Sequence, residues 1–108
     1  MSVTVVRYKT KPECAAENQA LIEKVFGGLA VDEPDGVRYA AFRLADGVSF
    51  VHVASIESDD GTNPLTSSAA FAAFVSHIGD RVEEGPVASE ATVVGSYRFW
   101  PEGEGKGL

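Results

Sequence analysis

Val37-Arg38-Tyr39-Ala40-Ala41-Phe42-Arg43-Leu44, then Ala45-Asp46-Gly47, then Val48-Ser49-Phe50-Val51-His52-Val53-Ala54-Ser55-Ile56 is the stretch that decides the fold. Both flanks are rich in β-branched and aromatic residues. Asp46-Gly47 between them supplies the two positive-φ positions that a tight two-residue hairpin turn requires. Such a turn pairs Arg43 with Phe50 and Ala41 with His52, which puts Tyr39, Arg43 and His52 on one face of the sheet. A three-residue turn with a bulge shifts the pairing by one residue and moves Arg43 away.

Upstream of the hairpin, Val3 to Tyr8 is a β-branched run with an aromatic end, and it predicts a first strand ended by Thr10. Thr10 and Glu13 have capping-box spacing and Pro12 suits a first helical turn, so a helix is expected from about Lys11 to about Ala30. Its apolar stripe is Cys14, Leu21, Ile22, Val25, Phe26 and Leu29, with Gly27-Gly28 weakening the last turns. Asp32 to Gly36 reads as a loop. Downstream, Ser58 to Asn63 is polar, and Asn63 as N-cap with Pro64 behind it predicts a second helix. Phe71, Phe74, Val75, Ile78 and Val82 form its stripe and Gly85-Pro86 its stop. A last strand is expected over about Val87 to Trp100 with a bulge at Gly95, then a flexible tail, residues 101–108.

The order of periods is βαββαβ in one domain, residues 1–100: an α+β, ferredoxin-like fold with a four-stranded antiparallel sheet. Right-handed crossovers put both helices on one sheet face. The other face is left uncovered, yet the strands are apolar on both sides. Val3 and Val5 oppose Val6 and Tyr8; Phe50 and Ile56 oppose Val51 and Val53; Val93 and Phe99 oppose Val94 and Trp100. A second copy of the chain is the expected cover, two sheets closing face to face into a homodimeric barrel.

The 108 residues carry a net charge of −7, which repels phosphate backbones and anionic headgroups, so neither nucleic acid nor membrane is an expected partner. The longest apolar run is far too short to span a bilayer and the first residues do not read as a signal peptide, so a cytoplasmic location is expected. Cys14, the single cysteine, excludes an internal disulfide and reads as a packed, inert thiol. Asp59-Asp60-Gly61-Thr62-Asn63 lacks the ligand spacing and closing Glu of a calcium loop, so no metal site is expected.

Four stretches carry a family resemblance: Pro34-Asp35-Gly36-Val37-Arg38-Tyr39, Phe50-Val51-His52-Val53, Asn63-Pro64-Leu65 leading to Phe71-Ala72-Ala73-Phe74, and Gly85-Pro86-Val87. Over about Ser2 to Trp100 the chain resembles the dimeric α+β barrel proteins, and within them the antibiotic biosynthesis monooxygenase-like domains. That resemblance implies oxygenases of aromatic polyketides and quinols that use no metal or flavin, or haem-degrading oxygenases. The haem-degrading pattern needs an Asn late on the first strand, a Trp near the start of the second helix and a His further along it. Those places hold Val6, about Leu65 and Phe74, so no cofactor is expected. The Trp that many relatives carry near the end of the third strand is Ile56 here, which removes an aromatic wall.

Polar residues on apolar faces supply the candidate site. Asn18 lies on the inward stripe of the first helix, where an unpaired amide would cost about 1–3 kcal/mol, so its partner is either a backbone group or water, or a ligand carbonyl. His52, among apolar neighbours, is either a satisfied core histidine or the group that moves a proton. Arg7 alternates with Val3 and Val5 and either snorkels, pairs with a carboxylate or anchors an anion. His77 falls off its helix stripe and reads as a surface residue; Trp100 reads as packing at a sheet end or across the dimer. Two functions stand. One is a cofactor-independent monooxygenase-like enzyme of a small aromatic, quinol or polyketide-type substrate, with His52 catalytic and Asn18, Tyr39, Arg43, Phe71 and Phe74 binding substrate. The other is a non-catalytic ligand-binding or structural dimer.

Overall fold

The hairpin forms from β2, Val37–Arg43, and β3, Ser49–Ile56, with Arg43 opposite Phe50 and Ala41 opposite His52. The structure, a computed structural model, describes residues 3–57 and 63–99. The register is that of a two-residue turn, but the turn differs from the expected one. Leu44 N–H donates to the Ser49 carbonyl (2.8 Å), which makes the loop residues 45–48, and of Asp46 and Gly47 only Gly47 has a positive φ, 80°. Asp46 accounts for the difference. One of its carboxylate oxygens accepts from the Val48 and Ser49 amides (3.0 and 2.8 Å), and the other from the Ser49 hydroxyl (2.6 Å). These bonds, that of the Ser49 hydroxyl above all, hold the Asp46 carboxyl down at about 2. The side chain thereby satisfies amides that a tighter turn would have bonded across the hairpin. At the other end of the hairpin, Gly36 (φ 80°) accepts the Glu57 amide at 2.7 Å, and a Cβ there would collide with the Glu57 carbonyl.

β1 runs from Val3 to Thr10, two residues further than expected. Thr10 is fully buried, and its amide and hydroxyl both donate to the Val48 carbonyl (2.8 and 3.1 Å), so it closes the sheet and the expected capping box does not form. A 3-10 turn over Pro12–Cys14 leads into α1, Ala15–Asp32. The glycine pair does not end that helix, which runs on until Glu33 adopts the left-handed conformation (φ 45°) and its amide reaches the Leu29 carbonyl (2.8 Å).

The second half departs further from expectation. Asn63 does cap, but its side-chain oxygen accepts the Leu65 and Thr66 amides (3.0 and 3.2 Å) to hold one isolated turn. The helix, α2, is Ala69–Ser76 and has Ser68 as its N-cap, whose hydroxyl accepts the Phe71 amide at 3.3 Å. A single turn, α3, Ile78–Arg81, passes directly into β4, Val82–Ala91. Val82 is therefore a strand residue, and Gly85-Pro86 lies inside β4 instead of stopping a helix. The pairing with β1 slips between Arg7 opposite Val87 and Lys9 opposite Glu84. Pro86 sits at that slip on an edge strand, where a missing amide donor costs least. Residues 92–99 form no regular strand, so the bulge expected at Gly95 is absent. The expectations for residues 58–62, Trp100 and the tail lie outside the described residues.

The sheet order is β2-β3-β1-β4, fully antiparallel, which makes the fold an α+β, ferredoxin-like βαββαβ. The helices bury one face around Tyr8, Ala15, Ile22, Val25, Phe50, Leu65 and Phe74. Among the described residues no helix is long and apolar enough to cross a membrane.

Candidate functional site

Strand alternation and register put Val6 and Tyr8 of β1, Tyr39 of β2, and Phe50 and His52 of β3 on the helix-covered face. His52 is central and almost fully buried, and both of its ring nitrogens are bonded: Nε2 lies 2.8 Å from the Tyr8 hydroxyl and Nδ1 2.6 Å from the Tyr39 hydroxyl. The network continues inward. Asn18 Nδ2 donates to the Tyr8 oxygen (2.9 Å), Arg81 Nε donates to Asn18 Oδ1 (3.0 Å), and Arg81 Nη2 donates to the Phe74 carbonyl (2.6 Å). Arg81 is 3 % exposed and, among the described residues, faces no carboxylate; its guanidinium carbon lies 5.4 Å from the centre of the Phe74 ring.

Tyr8, Tyr39 and His52 are neutral at pH 7. Burial lowers the His52 pKa to about 4, because the imidazolium would lose its hydration. Burial pushes Tyr8 up to about 12 against the opposing pull of the Asn18 bond and the Arg81 charge, and burial with Tyr8 beside it raises Tyr39 as well.

Next to the network lies a cavity of about 480 Å³, lined by Val6, Tyr8, Tyr39, His52, Ile56, Leu65, Phe71 and Phe74 among others. Aromatic contacts stiffen its wall. Phe26 stacks on Tyr39 (centroids 4.9 Å, planes 11° apart), Phe71 meets Tyr39 edge-on (6.4 Å), and Phe74 stacks on His52 (5.5 Å). A volume of this size suits a small aromatic molecule, and the wall has few polar groups with which to orient one.

Of the residues singled out from sequence, Tyr39, His52, Phe71 and Phe74 meet at this cavity, with Asn18 one hydrogen bond behind it. Arg43 lies elsewhere. It shares the sheet face, as the register requires, but points along it to the Gly47 carbonyl (2.8 Å) and Gln19 Oε1 (2.7 Å), above the Phe50 ring. His77 is exposed, 3.7 Å from Asp80, and Arg7 is exposed on the opposite face. Tyr8 and Arg81 were missed. Tyr8 could have been found by carrying the alternation of β1 across to the partners of Phe50, whereas Arg81, next to Asp80 and Glu83, has no local sign of burial. Val6, Leu65 and Phe74, at the places where the haem-degrading pattern has Asn, Trp and His, offer no iron ligand, and both His52 nitrogens are bonded to tyrosine hydroxyls. Among the described residues no group of three metal-ligating side chains occurs.

No protein-family profile matches the sequence, and no curated protein matches it. Solved structures do. Rv0793 of Mycobacterium tuberculosis superposes with a TM-score of 0.69 at 16 % identity, over 88 % of this chain and 96 % of that one. An antibiotic biosynthesis monooxygenase gives 0.69 at 13 % identity, over 88 % and 100 % of the two chains. The fold is that of the antibiotic biosynthesis monooxygenase-like proteins. A variant of SnoaB, a cofactor-independent oxygenase from Streptomyces nogalater, adds a TM-score of 0.63 at 15 % identity, over 88 % of this chain and 94 % of that one. At such identities the likeness is one of architecture.

Proposed function

We propose that the protein is a cofactor-independent monooxygenase-like enzyme of a small phenolic, quinol or polyketide-type substrate. The aromatic cavity walled by the Tyr8-His52-Tyr39 network carries this reading, and the oxygenase named among the structural neighbours supports it. The ring system lies against the Phe71 and Phe74 side of the cavity, with its oxygen at the network. His52 meets the substrate through a tyrosine hydroxyl, since neither ring nitrogen is free, so His52 acts on the substrate oxygen only by way of the Tyr39 hydroxyl. The ionised substrate is electron-rich enough to reduce dioxygen itself. One CH₂ becomes a carbonyl, one oxygen atom stays in the product and the other leaves as water, so no outside reductant is needed.

Oxygen uptake with a panel of quinols, flavonoids and polyketide-like phenols tests the reading. Uptake by the wild type that is lost in Tyr39→Phe supports it; stabilisation by a phenol without uptake favours a binding protein instead. That second reading has its own support, because every polar atom of Asn18, Tyr8 and His52 that the network uses is satisfied by protein, as in an inert core.

The working unit in this proposal is a homodimer. The sheet face opposite the helices carries half-buried Val5, Val51 and Val53 and exposed Phe42 and Val87, and beside it run Val93, Val94, Tyr97 and Phe99, also exposed. A second copy matches such a face by twofold symmetry.

A further inference from the structure

We propose that Arg81 and Asn18 set the direction of the hydrogen-bond chain, so that His52 is held with its proton on Nδ1 and Tyr39 offers its hydroxyl hydrogen to the cavity. The site then takes the oxygen of its ligand as an acceptor, in the ionised phenolate or enolate form. This inference rests on the reading that the cavity binds a phenolic or enolic molecule.

Arg81 fixes the direction, because its role in a hydrogen bond cannot be reversed. A guanidinium only donates, so the atom of Asn18 facing Arg81 Nε at 3.0 Å is the amide oxygen, and the amide nitrogen faces Tyr8. That nitrogen also only donates, so the Tyr8 oxygen is an acceptor toward Asn18 at 2.9 Å. Tyr8 is 5 % exposed and its single hydrogen needs a buried acceptor, which His52 Nε2 at 2.8 Å provides. With Nε2 accepting, a neutral imidazole carries its proton on Nδ1 and donates it to the Tyr39 oxygen at 2.6 Å. The Tyr39 hydrogen is thereby left over, and Tyr39 lines the cavity. The reverse direction would strand the Tyr8 hydrogen where only Asn18 Nδ2 and His52 Nε2–H surround it, an unsatisfied buried donor.

Two features fit the direction to an anion. Tyr39 accepts a bond from His52 as it donates, which polarises its O–H further. Arg81, buried without a carboxylate among the described residues, supplies positive charge at the far end of the chain. Arg81 and Asn18 touch no ligand in this scheme; both are positioning residues.

Nitrogen-15 NMR of the ligand-free protein at pH 7 reads the tautomer directly, whatever the ligand. The Nδ1-protonated pattern is expected for His52, and an Nε2-protonated pattern overturns the inference. Asn18→Asp supplies the second arm. Its carboxylate still accepts from Arg81 but also accepts from Tyr8, so Tyr8 turns its hydrogen away from His52. The His52 proton is then expected on Nε2, and the Tyr39 hydrogen is drawn back to Nδ1. The binding probe is 4-nitrophenol, whose phenolate is coloured. On the wild type its ionisation should move down by about one pH unit, a tenfold preference for phenolate. Asn18→Asp should abolish that preference and invert the NMR pattern. Binding to the wild type with no preference overturns the inference. An Nδ1-protonated His52 in a protein that binds no phenol supports the chain direction and instead overturns the ligand class of the proposed function.

Discussion

The two faces of this sheet are built on opposite principles. The helix-covered face buries polar groups, and each that faces the cavity network is bonded to another: Arg81, Asn18, Tyr8, His52 and Tyr39 form one chain through the core. The opposite face presents aliphatic and aromatic side chains outward around Arg7, with Phe42 43 % and Val87 51 % exposed. A single folded chain would be expected to do the reverse, since desolvating polar groups costs free energy and covering apolar ones gains it. In the proposed reading the two faces have different tasks: orientation of protons on one, attachment to a second copy on the other.

The largest effect separates the faces by mass. Sedimentation at micromolar concentration should give about twice the chain mass of 11.4 kDa. Phe42→Lys with Val53→Glu should reduce that to a single chain while each chain keeps its fold, because neither side chain belongs to the core under the helices. A compact wild-type monomer would break the comparison. On the other face the expected response is loss of the fold. Phe50 is 1 % exposed and stacked on Tyr8, so Phe50→Ala should lower unfolding free energy by about 3–5 kcal/mol in a denaturant titration.

A smaller effect tests the polar chain. The pKa of His52 falls from 6.5 to about 4 on folding, so between those values the unfolded chain binds the proton that the native state refuses. The stability associated with neutral His52 is fully present above about pH 6.5 and is lost as pH falls toward 4, some 3 kcal/mol in all. Around the ring stand the Tyr8 and Tyr39 hydroxyls and Phe74, with Arg81 behind Asn18; burial pushes both hydroxyls upward, so they stay neutral across that window. His52→Gln should flatten the wild-type decline between pH 6.5 and 4. An unchanged decline would mean that another group titrates there.

What could be read in the sequence was local. The hairpin register followed from Asp46-Gly47 even though Asp46 solved the turn differently, because both solutions keep the same cross-strand partners. The second helix was misread for a local reason too: Val82 continues the spacing of Phe71, Phe74 and Ile78, and nothing nearby shows that β1 needs a fourth strand there. The site divides the same way. Asn18 and His52 stood out as polar residues on apolar stripes, but Tyr8 meets His52 across a separation of 44 residues and Arg81 meets Asn18 across 63. Periodicity shows which way a side chain faces within its own element. It does not show which distant element arrives opposite.

The smallest effect concerns neither face. Gly27 and Gly28 were expected to weaken the last turns of α1, and the helix runs through them to Asp32. A Cβ built on either residue would meet nothing within 4 Å, and neither has the positive φ that would require glycine. Their cost is therefore backbone entropy, which a methyl group reduces in the unfolded chain without touching the folded one. Gly27 is exposed, so Gly27→Ala should raise unfolding free energy by about 0.5–1 kcal/mol. Oxygen uptake, 4-nitrophenol binding and dimer mass should stay as in the wild type. If Gly27→Ala instead weakens ligand binding, bending of α1 at the glycines is part of how the cavity admits its ligand, and the helix-covered face is less rigid than its bonded network implies.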